Sequence, residues 1–300
     1  MTFRFGGYQG PASIHNRAAQ TFGAALSRRL GPSAAFELVG NVLDLGRNSS
    51  ELPAMVELGE LDFCYISSVQ FARLVPELQI LELPFVIRDR PTILRALAGP
   101  LGARLTRRMR EATPFRVLGF WDNGFRHVSA VRPLRTPADC RGLTIRTQVS
   151  ELHVACFRLL GFDPLPVDVK VFVDEIATGK YQAQDNPLTN TYNFGVHRYH
   201  PYITLTGHLW GAALFICRES VYDGWSAEIR AAVDAAAREA NAEQHRLAAA
   251  EDEEVARKFP PSTELITLSD VEQQAFVAAV APLIAEYRER LGDDLFRELA

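Results

Sequence analysis

Arg146 closes the stretch Arg135-Thr-Pro-Ala-Asp139-Cys-Arg-Gly142-Leu-Thr-Ile-Arg146, and an arginine ending a strand is suited to holding an anion. Its planar five-donor fork can meet a carboxylate with two parallel hydrogen bonds, and the strand fixes where it points. The competing reading is a solvent-facing or salt-bridged arginine. Arg126, in Trp121-Asp-Asn-Gly-Phe-Arg126-His127, supplies a second guanidinium just after a predicted strand, with Asp122 as its alternative partner in a domain-crossing loop. Asp185 and Asn186, in Gly179-Lys-Tyr-Gln-Ala-Gln-Asp185-Asn186-Pro187, fall where a short strand stops at a proline, and both are expected to point into a cleft. Asn can donate and accept, so it suits a carboxylate, a hydroxyl or a carbonyl; an Asx turn before Pro187 competes.

Gln9, near the tip of the first strand, has the position at which open α/β sheets meet ligands. Tyr8, Trp121, Phe125 and Trp210 are candidate walls of the site, although each aromatic equally fits a core. Ser67 and His208, the latter read as a hydrogen-bonded strand-end residue near the cleft, complete the ligand-binding set. No catalytic group is assigned. GxSxG, HExxH and P-loop patterns are absent, and Asp174 and Glu175 fall on adjacent helix faces where they do not meet. His197 and His200 lie three apart with His208 close behind, but no nearby Glu or Cys completes a zinc set, so no metal or cofactor is expected.

These groups need rigid elements to converge. Strand-like and helix-like segments alternate over the first 120 residues, the order of an α/β sheet with crossover helices. Strands are expected at Phe3 to Tyr8, Ala34 to Gly40, Leu61 to Ile66 and Phe115 to Trp121; helices at Ala12 to Leu30, Ser50 to Leu58 and Pro91 to Met109. Leu81 to Ile87, interrupted by Pro84, reads as a buried turn or edge segment. A second lobe follows: strands at Phe125 to Ala130 and Leu143 to Arg146, helices at Ser150 to Leu160 and Val171 to Thr178. Strands at Pro201 to Thr206 and Ala212 to Cys217 then bring the chain back, so two crossings make a hinge. Trp225 to Lys258 holds no Gly or Pro and predicts one helix of about 50 Å, long enough to brace both lobes. A helix from Ser269 to Arg290 opens with Ser269 and Glu272 in capping-box spacing, and a short terminal helix follows.

Three hundred residues, 47% of them apolar, suffice for two cores. The net charge of -4 argues against a nucleic-acid partner. No run reaches the roughly 20 apolar residues that span a bilayer. Cys64, Cys140, Cys156 and Cys217 stand singly and read as buried thiols. Met1-Thr-Phe-Arg-Phe-Gly lacks the features of an export signal, so the chain is either cytoplasmic or had a leader removed.

The order and spacing of Gly59-Glu-Leu-Asp62, Leu83-Pro84-Phe85, Gly124-Phe125-Arg126, Asp139 to Arg146, Gly161 to Pro166, Gln184 to Pro187 and His208 resemble the DctP-type periplasmic solute-binding proteins of TRAP transporters, over nearly the whole length. The resemblance implies a two-lobe, periplasmic-binding-protein-like α/β fold of type II-like form, with a central cleft and a long bracing helix. Lobe I would comprise residues 1–122 and 208–250, lobe II residues 123–207 and 251–300. It further implies a small organic acid in the cleft, salt-bridged by Arg146 with Arg126 and Asn186 as helpers, and delivery to a membrane permease. The sequence departs from the family pattern at Val171, where a Glu is usual, and at Gln182-Ala183, where Asp-Gly is usual. A dicarboxylate, a sugar acid and an aromatic acid therefore all stay open as ligands. The alternative is a cytoplasmic enzyme of similar two-lobe fold acting on a small organic acid.

Overall fold

Phe3 and Phe5 are fully buried while Thr2 and Arg4 face outward, the period-two alternation that makes Thr2–Gly6 the first strand, β1. The structure, a computed structural model, describes residues 1–32 and 34–299; Ala300, at the end of the expected second lobe, and Ser33 lie outside the described residues. After β1 come α1 (Ile14–Leu30), β2 (Ala35–Val39), α2 (Leu52–Glu57), β3 (Phe63–Ser67), α3 (Arg90–Ala98), α4 (Pro100–Ala112) and β4 (Phe115–Ala130). The middle of the chain forms α5 (Pro137–Cys140), β5 (Thr144–Thr147), α6 (Glu151–Leu159), β6 (Asp163–Pro166), α7 (Val169–Glu175), β7 (Ala183–Pro187) and α8 (Leu188–Asn193). It ends with β8 (Tyr202–Arg218), α9 (Glu219–Gly224), α10 (Ala227–Ala256), β9 (Glu264–Ile266), α11 (Asp270–Leu291) and α12 (Asp293–Arg297).

One mixed sheet runs in the order β2-β1-β3-β8-β4-β7-β5-β6, with β9 beside β8. β1, β2 and β3 are parallel, as are β7, β5 and β6, and the two sets are joined by the antiparallel pair β8 and β4. Here the structure corrects the sequence expectation. Phe115 to Trp121 and Phe125 to Ala130 are one 16-residue strand, and the segments beginning at Pro201 and Ala212 are one 17-residue strand. The segment between Trp121 and Phe125, expected as a domain-crossing loop, holds a β-bulge: Asp122 pairs with Ala212 and Gly124 with Gly211, leaving Asn123 as the extra residue. Gly124 takes φ +89°, a left-handed conformation that a side chain would strain. A second irregularity lies on β8, where the partners jump from Leu209 to Thr204 while β4 advances only from Arg126 to Val128. Both long strands thus carry register irregularities in their middle stretches.

The predicted helix from Pro91 to Met109 breaks into α3 and α4 at Gly99-Pro100, and a Cβ on Gly102 would run into the Leu97 carbonyl at the corner between them. The long helix is present as α10, slightly inside its predicted ends, with α9 split off before it. It packs along α1 and β4 and reaches α8, so it bridges both halves of the sheet. Ser269 and Glu272 form the expected capping box on α11. The short strands β6 and β9 carry no alternation that marks them in the sequence.

The main core is aromatic: Phe5, Phe22, Phe63, Phe215 and Trp121 are fully buried and mutually packed. His15 on α1 is enclosed with them, its ring 4.9 Å from that of Tyr65, and neither ring nitrogen has a hydrogen-bond partner. Burial pulls its pKa from 6.5 to about 3. The native ring therefore stays neutral where the unfolded chain takes up a proton, so its contribution is intact above pH 6.5 and is lost as pH falls toward 3. His15→Phe removes two unpaired polar atoms and is expected to stabilise by about 1 kcal/mol near pH 7. It should also abolish about 2 kcal/mol of the stability lost on going to about pH 5. Urea unfolding at both pH values measures this, and an unchanged pH difference would overturn it.

Candidate functional site

Arg126 on β4 and Arg146 on β5 are buried, with 1% and 3% of their surface exposed, yet their surroundings differ. Arg126 is paired: Nε donates to Asp185 Oδ2 at 2.5 Å and Nη2 to the Asp185 carbonyl at 2.6 Å. The antiparallel register of β4 and β7 sets Arg126 opposite Pro187 and Asp185 opposite Val128, so the two residues are diagonal neighbours across the ladder. Asp122 is not its partner, because Asp122 accepts from Arg90 Nε at 2.6 Å and from Trp210 Nε1 at 2.9 Å. Burial would raise the Asp185 carboxyl, but the charge of Arg126 and hydrogen bonding from His208 and Arg126 hold it well below the usual carboxylate range.

Arg146 has no ion pair among the described residues. Its Nε and Nη2 both donate to the Val167 carbonyl, at 3.2 and 2.8 Å, and its guanidinium carbon lies 5.3 Å from the centre of the Phe172 ring. Burial pulls its pKa down to about 10. It is a buried cation with donor capacity left over.

Both arginines line a cavity of about 300 Å3, together with Tyr8, Ser67 and Asn186 from the sequence-derived set. Tyr8 sits just beyond β1; burial raises its pKa to about 12, so its hydroxyl stays protonated. Asn186, on β7, donates Nδ2 to Gln184 Oε1 at 2.5 Å, which fixes the amide. Asp168 is half-buried at the N-terminus of α7. Across the cavity, Ser49 Oγ donates to Asp168 Oδ2 at 2.9 Å and Gln148 Nε2 to Ser67 Oγ at 3.2 Å.

Six residues of that set are placed elsewhere, each for a packing reason. Asp185 lies behind Arg126 rather than in the cavity. His208, on the β8 irregularity, packs its Nε2 3.6 Å from Asp185 Oδ2 and hydrogen-bonds Thr206 through Nδ1 at 2.7 Å; burial lowers its pKa. Gln9 donates to Asn190 Oδ1 at 3.1 Å and so supports a lining residue from the rear. Trp121 stacks on Phe5 and gives its Nε1 to Asn241 of α10 at 2.7 Å, so it is core. Trp210 is fully buried with its Nε1 on Asp122. Phe125 lines a different cavity of about 380 Å3 with Phe85 and His127, under the Arg90 guanidinium at 5.5 Å.

Several lining residues escape the sequence reading: Asn123, Asn190, Gln148, Ser49, Arg73 and Asp168. Asn123 is aimed by its bulge, and the signal available for it is the Asn-Gly pair itself. Asp168 reads in sequence as an ordinary helix cap, and it does cap α7 by accepting from the Lys170 amide at 2.8 Å. Among the described residues no group of His, Cys, Asp and Glu could hold a metal ion, and no helix is long and apolar enough to cross a membrane. All four cysteines are buried and free.

Residues 5–290 match the family model described as bacterial extracellular solute-binding protein, family 7, of DctP type. A solute-binding protein of Verminephrobacter eiseniae is 29% identical over 279 residues, spanning 92% of this chain and 81% of that one. The 2,3-diketo-L-gulonate-binding periplasmic protein of Escherichia coli is 28% identical over 282 residues, 93% of this chain and 84% of that one. A TRAP periplasmic solute-binding protein of Shewanella oneidensis, solved with bound succinate, superposes with a TM-score of 0.94 at 22% identity, covering 100% of this chain and 98% of that one.

Proposed function

Because the chain belongs to bacterial extracellular solute-binding protein family 7 and is a periplasmic solute-binding protein, not an enzyme, we propose that Arg146 anchors the carboxylate of a small organic acid in the cavity between its lobes. The observation that carries this reading is the buried guanidinium of Arg146, which lines the cavity and makes no ion pair among the described residues. A carboxylate on the spare donors supplies the missing counter-charge, and removal from water strengthens the pair. Arg126, held by Asp185, and Asn186, held by Gln184, present donors from fixed positions. Tyr8 and Ser67 add hydroxyls from the opposite side. The ligands of two similar proteins, 2,3-diketo-L-gulonate and succinate, are themselves organic acids, which supports the ligand class.

The proposed lobes are residues 1–122 with 208–250 and residues 123–207 with 251–300, hinged at the bulged crossings of β4 and β8. The Ser49–Asp168 and Ser67–Gln148 bonds join the two and would part on opening. The closed form is the one a TRAP membrane permease would receive, and the solute is released there. The expectation of a cytoplasmic enzyme is overturned by the family match.

A thermal-shift screen of organic acids tests the reading. A cognate acid at about 100 times its dissociation constant should stabilise by about 2.7 kcal/mol, while the matching amide or ester should give no shift. Equal shifts for acid and neutral analogue would overturn it.

A further inference from the structure

We infer that Asp168 selects the charge of the ligand, so that the cavity takes a monocarboxylate bearing hydroxyl groups and discriminates against dicarboxylates. This rests on the proposal that Arg146 anchors a carboxylate, and it deepens that proposal. The charge balance comes first. Arg73, Arg126 and Arg146 line the cavity; against them stand Asp168, which also lines it, and Asp185, which is bonded to Arg126. Arg126 and Asp185 cancel as a buried pair, so Arg146 and the solvent-exposed Arg73 stand against Asp168 and leave one positive charge, which a single ligand carboxylate neutralises. A dicarboxylate would bring a second anion into a space that already contains Asp168. Repulsion between like charges is costly in a partly desolvated site.

Hydrogen-bond demand points the same way. Asn123 Oδ1 is buried without a partner, and Asn123 lines the cavity because the β4 bulge turns it there. Asp168 is likewise an acceptor, engaged by Ser49 Oγ, the Ser50 amide at 3.4 Å and the Lys170 amide. An ionised second carboxylate only accepts, so it can satisfy neither group. A hydroxyl can donate to either. Asn190, Ser67 and Gln148 add neutral polar groups to the same wall, which fits several hydroxyls better than a second charge.

Calorimetric titration of the full chain with four-carbon probes tests this: succinate as dicarboxylate, erythronate as polyhydroxylated monocarboxylate, and butyrate. Erythronate should bind at least about tenfold more tightly than succinate. Asp168→Asn keeps the side-chain size and the capping acceptor, so the fold should hold; it should raise the affinity for succinate relative to erythronate by about tenfold. Asn123→Ala should weaken erythronate by about tenfold and leave butyrate unchanged. If succinate matches erythronate in the native chain, or Asp168→Asn leaves their ratio unmoved, the inference is wrong and the second carboxylate is met by Arg73. In that case Arg146→Met would still abolish binding of both acids, so the carboxylate-anchor reading would survive. If no acid depends on Arg146, both fall together.

Discussion

Arg146→Met is expected to weaken binding of the cognate acid by a hundred- to a thousandfold or more while leaving the ligand-free protein folded and somewhat harder to melt. The affinity side follows from breaking a buried charge pair, which costs about 3–5 kcal/mol because the ligand carboxylate is left without a counter-charge. The stability side follows from what Arg146 lacks. Its guanidinium is buried, donates to one carbonyl, lies over the face of one ring, and makes no ion pair among the described residues. Burial that lowers its pKa from 12.5 to about 10 corresponds to a cost on the order of 3 kcal/mol carried by the folded state. Methionine fills much of the same volume, packs against Phe172 and carries no charge. A melting temperature higher by several degrees without ligand, together with loss of the ligand-induced shift, is the expected pair of readings. A ligand-free melting temperature that falls steeply would mean that Arg146 is structural. Undiminished affinity would remove it from the site.

That prediction uses an arginine legible in the sequence, and the reason it is legible is local. Leu143-Thr-Ile-Arg146 follows the short α5 and an unhindered glycine, so the strand is set by neighbours, and it runs one residue past Arg146 to Thr147. The same holds for the Gly59 helix stop, at φ +79°, and for the Ser269 capping box. Where the sequence misleads, the deciding contact is remote. Asn123-Gly124 carries a strong local turn signal, but pairing with β8, nearly ninety positions away, overrides it and makes a bulge within one strand. Gly99-Pro100 is the converse case, a local break inside a convincing helical run.

Within the site the pattern repeats. Asn186, Tyr8 and Ser67 are legible because each lies at or just beyond the end of a short strand, whereas Arg126, expected just after a strand, lies within the long β4. The partner of Arg126 is not, since Asp122 is four residues away in sequence while Asp185 is reached only through the β4–β7 ladder. Trp121 and Trp210 look like cavity walls because tryptophan combines an apolar body with a donor. Their donors are taken by Asn241 and Asp122, so packing against α10 and β4 decides that they are core. Asp168 is hidden by its own plausibility as a helix cap, a role it fills while also facing the cavity.

Asp185→Asn is the counterpart to Arg146→Met, a near-isosteric change at a residue outside the cavity that is expected to cost about 3–5 kcal/mol of stability. Asp185 is fully buried, and Arg126 is 1% exposed, so the asparagine variant leaves a guanidinium deep in the protein with its carboxylate gone. His208 cannot replace the carboxylate, because an imidazole is neutral or cationic and never supplies a negative charge here. The pH dependence follows from the direction of the Asp185 shift. Its native carboxyl lies below the ordinary value of 3.8, so the stabilisation is complete above that pH and is lost only as pH falls through the native value. The gap between native chain and variant should therefore be flat above about pH 5 and narrow below about pH 4. A double variant that removes both charges, Arg126→Met with Asp185→Leu, should recover much of the loss, since an apolar pair of similar volume can replace a buried ion pair at little cost. Denaturant unfolding of the three proteins decides the matter: a double variant no more stable than Asp185→Asn alone would show that the loss comes from packing around β7, with charge playing no part.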